Sequence, residues 1–202
     1  MELKHDYFII ESLTVDDIND GKIFYDALKS TNKYNPVLKK VHSKSEFENE
    51  LISFSKSDFK YLFISAHGDE ENVFLTKDSF NAYDLDDLEI DLKKRRIFMS
   101  TCRGGSFLLS KYFIKKGAYS VIGSPEDLAQ IVATSMWITM AWVFERLNKS
   151  SLNFRELDKS LKLMTKIYHI KLAYYSFIRK EQKMKGYSYS YENGRQRYDY
   201  EI

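Results

Sequence analysis

The chain holds a single cysteine, Cys102, in the run Ser100-Thr101-Cys102-Arg103-Gly104-Gly105, and one of its four histidines, His67, in Ser65-Ala66-His67-Gly68. A cysteine attacks carbonyl carbon as its thiolate, a form favoured by a nearby imidazole and by a helix N-terminus. Both residues close an apolar run and are followed by glycine, directly or after one residue, so each marks the point where a strand opens into a turn. His67 and Cys102 are therefore the candidate catalytic pair. The backbone N–H groups of Gly68 and Cys102 are candidate donors to an oxyanion, and Gly68 lets a substrate approach the chain closely. Taken singly, a cysteine after a strand is more often a small buried apolar residue, and a lone histidine more often structural. The two matching contexts, in this order, favour the catalytic reading.

Hydrophobic patterning predicts the elements that would hold this pair. Residues 61–66 and 96–101 are near-continuous apolar runs, as expected of strands covered on both faces. Upstream, a strand over 7–13 leads to a helix over 16–30, a breaker at Asn32-Lys33-Tyr34-Asn35-Pro36 and a short strand over 37–41. A second helix starts near Ser43 or Ser45 with Phe47, Leu51, Ile52 and Phe54 as its apolar face. A small hairpin and short helix fit 72–88, a helix fits 106–116 with Gly117 just past its end, and a strand fits 118–123. Helical spacing extends over 127–147 and 154–185, before a tail from Gly186 rich in Tyr, Ser, Gly and Arg. The alternation predicts an α/β fold of three layers, with a mostly parallel central sheet and helices on both faces. In such sheets ligands bind beyond the carboxyl ends of the strands. Neighbouring strands lie about 4.8 Å apart, so adjacent strands ending in His67 and Cys102 would bring both to one edge. The chain reads as one domain over 1–185 with a tail over 186–202. A flavodoxin-like or receiver-like domain shares the alternation but leaves the paired strand-end motifs unexplained.

The two motifs, with the stretch Lys116-Gly117-Ala118-Tyr119-Ser120-Val121-Ile122-Gly123-Ser124, resemble the caspase-like clan of cysteine peptidases, and the bacterial CHAT peptidases in particular. The resemblance covers residues 7–147. It implies a caspase-like fold and cysteine endopeptidase activity from a dyad of His67 and Cys102. It also implies control by a partner in regulated bacterial responses such as defence or programmed death. Cys102-Arg103-Gly104 agrees with the caspase signature, whereas Ser100-Thr101 departs from it. In the positions where caspases carry basic residues to read an acidic P1 side chain, this sequence has acids: Asp16, Asp17 and Asp20 after the first strand, Glu126 and Asp127 after Gly123-Ser124-Pro125. Asp16, Asp17, Ser100, Glu126 and Asp127 form the candidate substrate-binding set, complementary to a basic P1 residue. The alternative is a catalytically silent interaction module on the same fold.

Composition narrows the remaining classes. In 202 residues, 31 Lys and Arg against 29 Asp and Glu give a net charge of +2, too little for a nucleic-acid or membrane-surface field. A lone cysteine precludes an intrachain disulfide and suits a reducing compartment. Residues 1–6 have no apolar signal region, and no stretch nears the roughly 18 apolar residues of a spanning helix, so a cytoplasmic location is expected. His5, His42 and His169 lack metal-ligand spacing, and no phosphate-binding or dinucleotide glycine pattern occurs, so neither metal nor cofactor is expected. Asp69-Glu70-Glu71 beside His67 reads as an exposed acidic loop. The aromatic and methionine stripe Met136, Trp137, Met140, Trp142 and Phe144 reads as core packing.

Overall fold

A computed structural model of the chain describes residues 4–146, 153–178 and 183–200. Its elements in order are β1 (Lys4–Ser12), α1 (Asp20–Ser30), β2 (Val37–Lys40), α2 (Lys44–Lys56), β3 (Phe59–Gly68), β4 (Asn72–Phe74), β5 (Ser79–Asn81), α3 (Asp84–Asp87), β6 (Arg96–Ser100), α4 (Phe107–Lys115), β7 (Ser120–Gly123), α5 (Gln130–Arg146), α6 (Phe154–Tyr168), β8 (Leu172–Ile178), β9 (Lys183–Ser190) and β10 (Gly194–Tyr200). The main sheet runs β10-β9-β8-β7-β6-β3-β1-β2, with the β4–β5 hairpin attached to the end of β3. The five strands β2, β1, β3, β6 and β7 are parallel, and β8, β9 and β10 continue the sheet antiparallel.

Side chains alternate across each strand, and the alternation sorts the core into two layers. Tyr7 and Ile9 of β1, Tyr61 and Phe63 of β3 and Phe98 of β6 pack against α1, α5 and α6. Phe8 and Ile10, Leu62 and Ile64, and Ile97 and Met99 face the opposite way, against α2 and α4. The three-layer α/β architecture expected from the sequence is the one found. Phe63 shows how tightly the first layer is built: it stacks on Phe24 of α1 with ring centres 4.4 Å apart and meets Trp137 of α5 edge-on at 5.6 Å. The expected core stripe of α5 holds for Met136, Trp137, Met140 and Phe144, while Trp142 lies on the exposed side.

Local chemistry sets the ends of the elements. Ser43 caps α2 by accepting from the Glu46 N–H, and Ser106 caps α4 through Leu109. Helix α1 starts four residues later than expected, because Asp17 folds residues 14–17 into a turn by accepting from both the N–H and the hydroxyl of Thr14. The larger correction lies near the C-terminus. The helix expected over 154–185 ends at Tyr168, where His169 takes the left-handed conformation, φ 53°. The following Leu172–Ile178, rich in aromatic and β-branched residues, is a strand. The stretch from Gly186 is strand as well: the 185/186 boundary falls inside β9, and β10 pairs with it over seven residues. Asp158 of α6 fastens this extension, accepting from Tyr189 Oη at 3.1 Å and Arg195 Nη1 at 2.8 Å. The end of the helix expected over 127–147 lies, with Leu147, outside the described residues.

Candidate active site

The pairing of β3 with β6 decides where the two reactive residues meet. Ser65 stands opposite Ser100, and every pair in this register is separated by 35 positions. The same separation carries His67 to Cys102, two positions beyond the last β3–β6 pair: His67 is still within β3, where it pairs with β4, and Cys102 is two residues past the end of β6. The two-residue period puts Ser65 and His67 on the layer of Tyr61 and Phe63, and Ser100 on that of Phe98, which is the α1 and α5 side. His67, Ser100, Thr101 and Cys102 line one cavity of about 30 Å³, together with Leu13, Asp20, Ala66, Leu128, Gln130 and Ala133.

Each side chain has its own support. His67 is half exposed, and its Nε2 meets Asp17 Oδ1 at 2.8 Å. Asp17 also takes the Gln130 side-chain N–H at 3.1 Å in addition to the two Thr14 donors. Burial pushes the Asp17 carboxyl up, but the bonds from Thr14, His67 and Gln130 outweigh it and hold the group well below the usual carboxylate range. Asp17 is thus an anion at any physiological pH, bonded to the imidazole at Nε2. Cys102 is partly buried, and its Sγ lies 3.8 Å from the Leu128 carbonyl oxygen as a donor to it. Below both, at the first turn of α1, Asp20 is buried and accepts from the Ser65 and Ser100 hydroxyls. Burial raises the Asp20 carboxyl pKa, opposed by these two hydroxyls.

Backbone donors stand close by. Asp69 N–H bonds to the Asn72 carbonyl at 3.0 Å, and antiparallel pairs alternate, so the Gly68 N–H turns away from β4 toward the β6 side. A Cβ on Gly68 would stand 2.8 Å from the Asn72 oxygen, which explains glycine there. After Cys102 the chain turns through Arg103 at φ 53° and passes over β7 at Gly105, where a Cβ would stand 2.5 Å from the Gly123 oxygen.

The chain matches no protein-family model and no curated protein. Its structure is similar to that of the Arg-specific cysteine proteinase gingipain R, with a TM-score of 0.60 and 10% identity, over 96% of this chain and 66% of that one. It is similar also to the complex of pro- and mature domains of RgpB from Porphyromonas gingivalis, with a TM-score of 0.57 and 10% identity, covering 96% and 67%. The chain therefore spans about two thirds of the length of these structures.

The fold is caspase-like.

On this caspase-like frame the sequence-derived candidates separate into groups. His67, Gly68, Ser100 and Cys102 gather at one sheet edge, with Ser100 turned to Asp20. Asp17 is engaged with His67, and Asp16 is exposed on the same loop. Glu126 forms an ion pair with Lys171, and Asp127 holds the Arg103 guanidinium at 3.0 Å; neither lines the cavity. Asp69 stays in its own turn, accepting from Glu71 and Asn72. Gln130, Leu128 and Leu13 were not expected at the site. Nothing local marks them, since only the tertiary fold carries the start of α5 across to β3. Among the described residues no group of three or more His, Cys, Asp or Glu side chains is placed to hold a metal ion. No helix among them is long and apolar enough to cross a membrane.

Proposed function

We propose that the chain is a cysteine endopeptidase using Cys102 as nucleophile and His67 as general acid and base. The observation that carries this reading is the common register of the two residues across β3 and β6, lining one cavity. In the reaction the Cys102 thiol gives its proton to His67, and sulfur adds to the peptide carbonyl carbon. The Gly68 and Cys102 N–H groups donate to the resulting oxyanion. As the tetrahedral adduct collapses, the C–N bond breaks and His67 protonates the leaving amine. Water, deprotonated by His67, then cleaves the thioester to release the acid and restore the thiol. Asp17 orients the ring through Nε2 and balances its positive charge, a positioning role.

Substrate recognition leans toward a basic P1 side chain. Asp20 is the acid among the residues lining the cavity, with Ser100 and Ser65 holding its carboxyl, and Asp16 is exposed on the adjoining loop, whereas Glu126 and Asp127 are balanced by Lys171 and Arg103. The Arg specificity named for gingipain R agrees with this choice. Closeness to the CHAT peptidases rests on the strand-end motifs and the stretch 116–124, and a cytoplasmic site on the lone thiol; a part in bacterial defence under a protein partner follows from that resemblance alone. A catalytically silent module is the second reading, and one contact favours it: the thiol donates to Leu128 rather than to His67.

The deciding experiment compares wild type with Cys102→Ala on a peptide library and with an electrophilic peptide probe. Cleavage and labelling should both vanish in the variant, with an unchanged circular dichroism spectrum. Cleavage that survives would overturn the assignment.

A further inference from the structure

The site described above is narrow: His67 is half exposed, while Cys102 is partly buried. Its cavity of about 30 Å³ has room for roughly two water molecules and none for a P1 side chain. What confines it on the Cys102 side is the connection between β7 and α5. Leu128 sets its carbonyl on the Cys102 thiol and, with Gln130, forms a wall of the cavity. Gln130 is tied at both ends of its amide, to Asp17 at 3.1 Å and to the Ile18 N–H at 3.3 Å.

The outer side of this connection is held by charge. Arg103 donates its N–H to the Glu126 carbonyl at 3.2 Å and its Nε and Nη2 to the two Asp127 oxygens at 3.0 and 3.4 Å. Lys171, just before β8, pairs with the Glu126 carboxylate. All four of these side chains are between 45% and 65% exposed. Exposed pairs of this kind are individually weak and are screened by salt. The arrangement is therefore a closure that a modest change in charge can release.

We propose that residues 126–130 form a strap that covers Cys102 in the resting chain, latched by Arg103–Asp127 and Lys171–Glu126, and that it lifts to admit substrate. The proposal rests on the peptidase reading of the same site, and accounts for the thiol's contact with Leu128 without making the site silent.

Alkylation of Cys102 by iodoacetamide tests it, because that small neutral reagent needs thiol access and no peptide recognition. The double variant Glu126→Gln/Asp127→Asn should be alkylated about five-fold faster than wild type at low salt. Rising salt should bring wild type toward the variant's rate while leaving the variant's rate flat. Equal rates, or an equal salt response, would overturn the strap. If the double variant does not fold, Lys171→Met removes one latch from outside the strap and is read in the same way. Faster alkylation without any peptide cleavage keeps the strap and removes the peptidase reading. Cleavage with equal alkylation does the reverse.

Discussion

In the parallel half of the sheet, β2-β1-β3-β6-β7, the central strands are covered by helices on both faces, and β6 is buried at all five positions. The antiparallel extension opens progressively to solvent, until β10, where six of seven residues are exposed. The first half can hold two side chains in fixed register, because any shift would move bulky residues through a packed core. The second half adds area to the sheet edge and is fastened by a few polar contacts, those of Asp158 among them. The site sits on the half that cannot slip.

Four changes test this contrast. The largest effect is expected for His67→Ala, which should lower kcat/KM on a cleaved peptide by roughly 10²–10⁴-fold with the fold intact. Cleavage at the wild-type rate would move the chemistry away from the parallel half. Phe63→Ala, in the layer beneath His67, should reduce the free energy of unfolding in urea by about 3–5 kcal/mol, because the stack on Phe24 and the contact with Trp137 are both lost.

A smaller loss, about 1–2 kcal/mol, is expected for Asp17→Asn near neutral pH, and its pH dependence has a definite sign. The Asp17 carboxyl is held below its unfolded value, so its contribution is fully present above the ordinary carboxylate pKa of about 3.9 and is lost as pH falls through the lower folded value. Denaturation curves of wild type and variant should therefore converge on acidification. A gap that widens toward low pH would refute the role given to Asp17. At the other end of the sheet, Tyr198→Ala in β10 should change stability by no more than about 0.5 kcal/mol. A loss comparable to that of Phe63→Ala would abolish the distinction between the halves.

The same contrast explains what could be read in advance. Strands β3 and β6 are near-continuous apolar runs, a pattern that two-sided burial favours, and their ends point to His67 and Cys102 directly. The extension offers no such signal. Its helix-like spacing over 154–185 mixes α6, β8 and the start of β9, and the stop at His169 depends on a left-handed backbone that a histidine does not announce. Asp17 was legible as an acid near the site, but its partner was not. That pairing is fixed by the turn Thr14 makes with it and by Gln130 reaching in from a helix more than a hundred residues away.

The 35-position register also bears on how this molecule can change. Because hydrogen bonds between β3 and β6 align the two reactive residues, the length of chain between the strands carries no information about the site. Within that stretch β4 is fixed by its pairing with His67 and Gly68, and Val73, Phe80, Leu85 and Leu92 are fixed by burial, which leaves the β4–β5 turn as the place where length is free. A graft or a long insertion at the β4–β5 turn would leave the chemistry in place, whereas a single residue added within β6 would shift Cys102 out of line with His67.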